Sequence, residues 1–201
     1  AMGVEGFICS GPFSAIRVPA ESDPRAGHVE GEAKVAYLFA WEGIDAVRAL
    51  ASLHRRGVRA QLVPTPILSG GRHYAAGSIV VPVLGAATHS AVQAVAKECA
   101  VTFYGVDSGW TDEGIDLGSD QVETLRPPRI AVASGEGVSS LSFGAVWSLF
   151  EQTIGATFSA ISLDTIGSRA LDEYDVLILP TGSGYRGALD EGAVASLRAW
   201  L

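Results

Sequence analysis

One stretch constrains the fold of this chain more than any other: Tyr-Asp-Val-Leu-Ile-Leu at 174–179, followed by Pro-Thr-Gly-Ser-Gly at 180–184. Successive apolar residues, without the alternation of a half-exposed strand, predict a strand buried on both faces of a parallel sheet. The glycine-rich turn would then lie at the carboxyl edge of that sheet, where open α/β sheets bind their ligands. Gly182, Ser183 and Gly184 are therefore candidate ligand-binding residues.

The residues around this stretch repeat an order of strands and helices. Arg-Ile-Ala-Val-Ala at 129–133 predicts a strand that leads into a turn at 134–137, and 157–162 predicts another strand. Between them, apolar residues recur at helical spacing and form one stripe: Phe143, Val146, Trp147, Phe150 and Ile154. This order indicates right-handed crossovers and a parallel sheet.

The ends of the two predicted helices carry recognisable signals. Ser140 or Ser142 can cap the first helix, and Gly155 can end it in the left-handed conformation. Asp190 and Glu191 mark the start of a second helix, because acidic residues suit the positive end of the helix dipole. Three apolar residues of this helix are expected to face inward: Val194, Leu197 and Leu201.

The strand at 174–180 and the Arg-Ile-Ala-Val strand at 129–132 together resemble the class I glutamine amidotransferase-like fold, shared with the DJ-1/PfpI proteins. The resemblance implies a flavodoxin-like parallel sheet, here incomplete, and places a nucleophilic cysteine after the next strand. No cysteine follows Cys99, so we expect no catalytic residue in this sequence. The resemblance also matches Glu136 to the acidic residue near that nucleophile, and it joins Gly182, Ser183 and Gly184 as a ligand-binding candidate.

The first half of the chain predicts a separate α/β unit. Residues 1–33, rich in Gly, Pro, Ser and charge, are expected to be irregular, with short strands at 6–9 and 16–18 and a loop at 21–32. Six further elements follow from apolar pattern and turn residues: strands at 35–39, 58–63, 78–82 and 101–105, and helices at 43–56 and 86–97. A short strand between two turns is predicted at 70–77. The double proline at 127–128 suits a linker, so the predicted domains are 34–126 and 127–201.

Three segments in order resemble the region downstream of the catalytic domain in large bacterial M14-family zinc carboxypeptidases. They are Gly-Gly-Arg-x-Tyr-x-Ala-Gly-Ser at 70–78, the Gly-Val-Asp-Ser-Gly loop at 105–109 with 117–119, and Leu-Arg-Pro-Pro-Arg-Ile-Ala-Val at 125–132. The resemblance implies a non-catalytic accessory region of a secreted or periplasmic peptidase. Its partner would be the catalytic domain of the same polypeptide, and that domain, rather than this region, would hold zinc.

The residues themselves offer little metal chemistry. Residues three after each histidine are Gly31, Gly57, Ala76 and Val92, so the His-x-x-Glu pair of such a zinc site is absent. The acidic loop at 107–120 could collect calcium, although its spacing is not that of an EF-hand and a solvated loop is the simpler interpretation. Cys9 and Cys99 match no metal spacing, and a bridge between them stays open.

Composition limits the partners. The chain is 48% hydrophobic and 18% charged, which is typical of a globular protein, and its formal charge of −8 argues against nucleic acid and anionic membranes. Two other functions remain open: a stand-alone hydrolase of the DJ-1 type, and a small-ligand-binding domain. Because Val194, Leu197, Trp200 and Leu201 would present apolar surface near the end of an incomplete sheet, a homo-oligomer is a further expectation.

Overall fold

The computed structural model describes residues 10–11, 27–167 and 171–201 of the chain. The chain forms two compact units, Ala1–Leu125 and Arg126–Leu201, and the sequence placed this division one residue later. Both units are α/β. The strands predicted at 6–9 and 16–18 lie outside the described residues. In the part of the chain that is described, no helix is long and apolar enough to cross a membrane.

Unit 1 is built on a mixed sheet of six strands in the order β1-β7-β2-β6-β3-β8. Only the pair β1–β7 is parallel; the other neighbours run antiparallel. The strands of unit 1, including the separate hairpin β4–β5, are β1 (Val29–Glu30), β2 (Ala36–Phe39), β3 (Ala60–Leu62), β4 (Ile67–Ser69), β5 (Arg72–Tyr74), β6 (Ile79–Pro82), β7 (Phe103–Val106) and β8 (Glu123–Leu125).

Two helices cover one face of this sheet, α1 (Gly43–Arg55) and α2 (Ala86–Cys99). Their buried side chains meet alternate residues of the strands, among them Tyr37 and Phe39 of β2. Helix α1 ends with basic side chains in its last turn and with Gly57 at φ +70°, both of which favour a helix C-terminus.

The opposite face of the sheet carries the other alternate residues, including Ala36 and Leu38. These residues pack with Ile67 and Tyr74 of the hairpin β4–β5 and with Leu117 of the acidic loop. The sheet is therefore covered on both faces, by helices on one side and by the hairpin and loop on the other.

Three short strands of unit 1 differ from the sequence prediction. β1 lies inside the predicted loop at 21–32, β4 precedes the predicted strand of 70–77, and β8 lies just before the predicted linker, where no strand was expected. Each is two or three residues long, and β1 and β8 form the two edges of the sheet. Edge strands are held by backbone hydrogen bonds to one neighbour and need no apolar pattern, so periodicity cannot find them.

Unit 2 contains a parallel three-stranded sheet in the order β10-β9-β11. Its strands are β9 (Ile130–Ser134), β10 (Ser159–Ser162) and β11 (Val176–Ile178). The four residues 130–133 of the central strand are buried, and the core gathers around Ala131, Ala133 and Ile161.

The apolar run at 176–179 was expected to be buried on both faces, and this prediction is wrong. Val176 is 39% exposed and Leu179 is 44% exposed. The strand β11 pairs with β9 alone among the described strands, so it is an edge strand. The position between two neighbours belongs to β9, whose sequence Ile-Ala-Val-Ala-Ser is less hydrophobic.

Helix α3 (Ser140–Trp147) continues as a π-helical segment, Ser148–Ile154, which ends at Gly155 with φ +73° as predicted. The cap is Ser139, whose Oγ accepts from the Ser142 N–H at 3.4 Å, so the prediction of Ser140 or Ser142 is wrong. The predicted stripe is also not buried, since every residue of 140–154 keeps some exposure to solvent.

Unit 2 also contains two short 3-10 helices, Leu163–Thr165 and Leu171–Glu173, and two further α-helices, α4 (Tyr185–Ala188) and α5 (Glu191–Trp200). Asp190 caps α5 by accepting from the Ala193 N–H at 2.8 Å, in agreement with the sequence. Leu197 and Trp200 pack against the core, but Leu201 is 94% exposed, so its predicted inward position is wrong. The helix ends at Trp200, before Leu201 can join its inner face.

Candidate functional sites

The carboxyl edge of the sheet in unit 2 is closed by two loops bound to each other. The loop after β9 and the loop after β11 exchange backbone hydrogen bonds: Gly184 N–H donates to the Gly137 carbonyl at 3.0 Å, and Ser139 N–H donates to the Thr181 carbonyl at 2.8 Å. An antiparallel bridge between Val138 and Gly182 lies between these two bonds. The loops therefore form a small zipper across the edge where a ligand would be expected.

Glycine is required on both sides of this zipper. A Cβ placed on Gly182 would lie 2.2 Å from the Gly137 carbonyl oxygen, and one placed on Gly184 would lie 2.5 Å from the Gly137 Cα. Contacts this short with backbone atoms cannot be relieved by a rotamer change. The glycines of Pro-Thr-Gly-Ser-Gly thus allow the two loops to approach closely. Because the loop is engaged in this contact, it is less available to bind an anion through its backbone.

The structure places all four predicted ligand-binding residues at this edge. Gly182 and Gly184 are engaged in the zipper, while Ser183 and Glu136 are exposed on the two loops. The two loops that the sequence analysis selected therefore lie together, and ligand binding by these residues stays a prediction. The N–H of Gly184 is already donated to Gly137, so that one donor is not free for a ligand.

Side chains reinforce the same closure. The Ser142 Oγ accepts from the Thr181 N–H at 3.0 Å, which ties the start of α3 to the loop after β11. The Tyr185 hydroxyl donates to the Pro180 carbonyl, and burial raises the pKa of that phenol, so it stays a neutral donor.

Metal-binding chemistry does not assemble in the described parts of the chain. Within residues 27–167 and 171–201, no group of three His, Cys, Asp or Glu side chains could hold a metal ion. The acidic loop spreads its carboxylates over separate partners: Asp107 pairs with Lys34 at 3.0 Å, and Asp116 accepts from the Thr111 N–H at 2.9 Å. The family resemblance places zinc in a separate catalytic domain, and no group of described side chains in this chain could bind it.

Cys99 is a free, buried thiol, and burial raises its pKa. Cys9 lies outside the described residues. A buried thiol of raised pKa is little ionised and therefore a poor nucleophile, which suits a structural role in the core of unit 1.

Unit 1 contains a polar cavity of about 550 Å³ between the hairpin β4–β5 and the edge of its sheet. We call it the Arg72 cavity; its lining consists of Glu30, Gly31 and residues 69–74 and 104–106. The Arg72 guanidinium carbon lies 3.7 Å from the centre of the Tyr104 ring, which is the geometry of a cation–π contact. The same guanidinium donates to Glu30 Oε1 at 3.4 Å.

Backbone register explains how these side chains meet. Glu30 of β1 is the register partner of Tyr104 in the parallel neighbour β7, so both side chains lie on the same face of the sheet. The hairpin places Arg72 over that face, and Gly70 and Gly71 make its turn with φ of +58° and +72°. Such positive φ values favour glycine, which is why two glycines precede the arginine.

The cavity wall also carries neutral hydroxyl groups. Tyr74 is buried, and desolvation raises its pKa to about 12. Ser69 is buried as well, at 3% exposure. The lining therefore contains one guanidinium, one carboxylate and His73, together with three hydroxyl-bearing residues, Ser69, Tyr74 and Tyr104.

Sequence reasoning missed this site, although it had used the segment 70–78 for the family resemblance. A signal was present: after a two-glycine turn, Arg72 and Tyr74 are two residues apart in a strand and share a face. The partners Glu30 and Tyr104 are 42 and 32 residues away from Arg72, and only the fold brings them to it.

Comparison of the chain with protein-family models, with curated proteins and with solved structures gave no match.

Proposed function

We propose that this chain is a non-catalytic accessory region of a zinc metallocarboxypeptidase, and that unit 2 is of the glutamine amidotransferase-like, flavodoxin-like type. The three segments at 70–78, 105–119 and 125–132 support the family, and the parallel order β10-β9-β11 is compatible with that type of sheet. In this proposal the parent enzyme is secreted or periplasmic, and its separate catalytic domain holds the zinc.

The observation that carries the accessory role is the exposed apolar surface along α3 and its π-helical continuation. Leu141 is 85% exposed, Trp147 is 48% exposed and Leu149 is 43% exposed. Three large apolar side chains exposed within nine residues of one helix favour a surface that packs against another protein domain. We call this set the α3 apolar surface, and we assign it to contact with the peptidase domain of the same polypeptide.

The zipper between Gly137 and Gly184 supports the absence of catalysis in unit 2. Enzymes with open α/β sheets place their reacting groups in the crevice beyond the carboxyl ends of the strands. In this chain the two loops at that position hydrogen-bond to each other through Gly137–Gly184 and Ser139–Thr181, so backbone groups facing that crevice are already engaged.

The proposal is tested by producing this chain and the His-x-x-Glu peptidase module of the same reading frame as separate polypeptides. We expect the two to bind each other, and the substitutions Leu141→Glu and Leu149→Glu to weaken binding by about ten-fold or more, since a desolvated charge opposes an apolar contact. Ala195→Glu is the matched control, because it adds the same charge at an exposed position of another helix of unit 2, α5.

Two results would contradict the proposal. One is a reading frame that encodes no zinc peptidase module. The other is binding that responds equally to Leu149→Glu and Ala195→Glu, which would show that the α3 apolar surface is not the contact.

Of the alternatives, a small-ligand-binding domain has an observation in its favour. The Arg72 cavity has a volume within the range of small-molecule sites, about 300–1,000 Å³, and it carries convergent polar groups. This function is compatible with the accessory role, because the cavity belongs to unit 1 and the α3 apolar surface to unit 2.

A further inference from the structure

We propose that the Arg72 cavity binds a free α-amino acid as its zwitterion, with Arg72 receiving the carboxylate and Glu30 the ammonium group. This inference goes beyond the accessory function and would stand without it, since it rests on unit 1 alone. It is carried by the position of one guanidinium and one carboxylate side by side on the wall of one cavity.

Arg72 is oriented to receive a carboxylate. The cation–π contact with Tyr104 holds the guanidinium over the ring, and the contact to Glu30 uses one terminal N–H at 3.4 Å. That distance is longer than the 2.7–2.9 Å typical of a charge-assisted hydrogen bond. A guanidinium has five N–H donors, so a ligand carboxylate can take a paired contact that Glu30 does not use.

Glu30 supplies the opposite charge. Its side chain is 55% exposed and contacts Arg72 through Oε1, so Oε2 can accept from a ligand ammonium. The carboxylate and ammonium of an α-amino acid are joined through one carbon atom. They can therefore contact two neighbouring side chains of opposite charge at the same time.

The balance of charge favours a zwitterion over an anion. Arg72 and Glu30 together carry no net charge, and the other polar side chains of the lining belong to Ser69, His73, Tyr74 and Tyr104. A phosphate or a dicarboxylate would meet Glu30 as well as a chain of net charge −8, and both repel it. The ligand that matches this wall is polar, small and neutral overall.

Isothermal titration of the purified chain with the standard L-amino acids is the first test. We expect saturable binding of at least one of them below about 10 mM. The N-acetyl derivative of the best ligand, which lacks the ammonium, and its amide, which lacks the carboxylate, should each bind about ten-fold more weakly or worse.

Variants then assign each charge to its partner. Arg72→Gln should weaken binding of the amino acid about ten-fold or more but leave the amide unaffected, because the amide has no carboxylate to lose. Glu30→Gln should weaken binding of the amino acid to a similar extent but not that of the N-acetyl derivative. Asp45→Asn is the control, since it breaks another exposed ion pair, with Arg48 at 2.9 Å on α1.

Circular dichroism melting of each variant distinguishes a lost contact from a lost fold. The proposal is overturned if no amino acid binds saturably below about 10 mM. It is equally overturned if the blocked derivatives bind as well as the parent amino acid, or if folded Arg72→Gln and Glu30→Gln bind it as tightly as the unaltered chain.

Discussion

Gly137 and Gly184 approach so closely that neither can carry a side chain. A Cβ added to Gly137 would lie 2.6 Å from the Gly184 Cα, and Gly137 has a φ of +86°, which L-residues with a side chain rarely adopt. The carbonyl of Gly137 accepts from the N–H of Gly184 in the same place. The zipper in unit 2 therefore requires glycine at both positions, because a Cβ at either one would clash with the backbone of the other loop.

Replacing Gly137 by alanine should destabilise unit 2 by about 2 kcal/mol or more, from positive-φ strain together with the backbone clash. Gly144→Ala is the matched control. Gly144 lies in α3, a Cβ added to it would meet no heavy atom of another element within 4 Å, and alanine in a helix is favoured by about 0.5–1 kcal/mol. Urea unfolding followed by tryptophan fluorescence measures both; equal stability of the two variants would contradict the close approach.

Removing the carboxylate of Asp175 should make the thermal stability of the chain depend less on pH at acidic pH. Asp175 accepts from Arg129 Nη2 at 2.7 Å and from the Arg129 backbone N–H at 2.7 Å, and the side-chain contact is the larger cause of a pKa lowered from 3.8 to about 2. A lowered carboxyl pKa stabilises the fold fully above pH 3.8 and progressively less as the pH falls towards 2. Melting temperatures between these limits should fall less steeply for Asp175→Asn.

The effect should be small, because both side chains are exposed and solvent screens the ion pair. Asp164→Asn, which changes another exposed aspartate of unit 2, is the control and should keep the slope of the unaltered chain. A slope that is unchanged in Asp175→Asn would show that the ion pair does not form in solution.

Acidification should also weaken unit 1 through His54. Its Nε2 is buried without a hydrogen-bond partner among the described residues, and burial lowers its pKa below 6.5, although a hydrogen bond with the Leu125 backbone opposes the shift. A histidine whose pKa is lowered by folding favours the native state above its unfolded pKa and costs stability as the pH falls below it. His54→Gln should therefore reduce the loss of stability below pH 6.5.

The exposed His73 provides the control for this measurement. His73→Gln should leave the pH profile of thermal unfolding as it is in the unaltered chain. If His54→Gln and His73→Gln give the same profile, the buried imidazole is not the group that titrates.

The open side of β11 should promote self-association. Val176 is 39% exposed in a strand that has β9 as its one described neighbour, and unpaired strand edges pair readily with other chains. We expect sedimentation equilibrium to show association at high concentration, and Val176→Lys to weaken it. Ser183→Lys adds the same charge beyond the strand and should not; association unaffected by Val176→Lys would place the contact elsewhere.

Elements with a local cause were predictable from the sequence. The helices α1 and α2 follow from apolar spacing, and the end of the π-helical segment at Gly155 follows from the conformational freedom of glycine. The cap at Asp190 needs only the N–H of Ala193, three residues away. These features depend on neighbours within one or two turns, so the chain specifies them wherever it lies in the fold.

Features that join distant residues were decided by the tertiary structure. The apolar run at 176–179 has the composition of a central strand, yet β9 occupies the centre because strand order depends on which strands pair, not on hydrophobicity. Glu30, Arg72 and Tyr104 form one cavity wall only because β1, β5 and β7 converge there. A strand pattern states which residues share a face, and only the pairing of strands determines what that face meets.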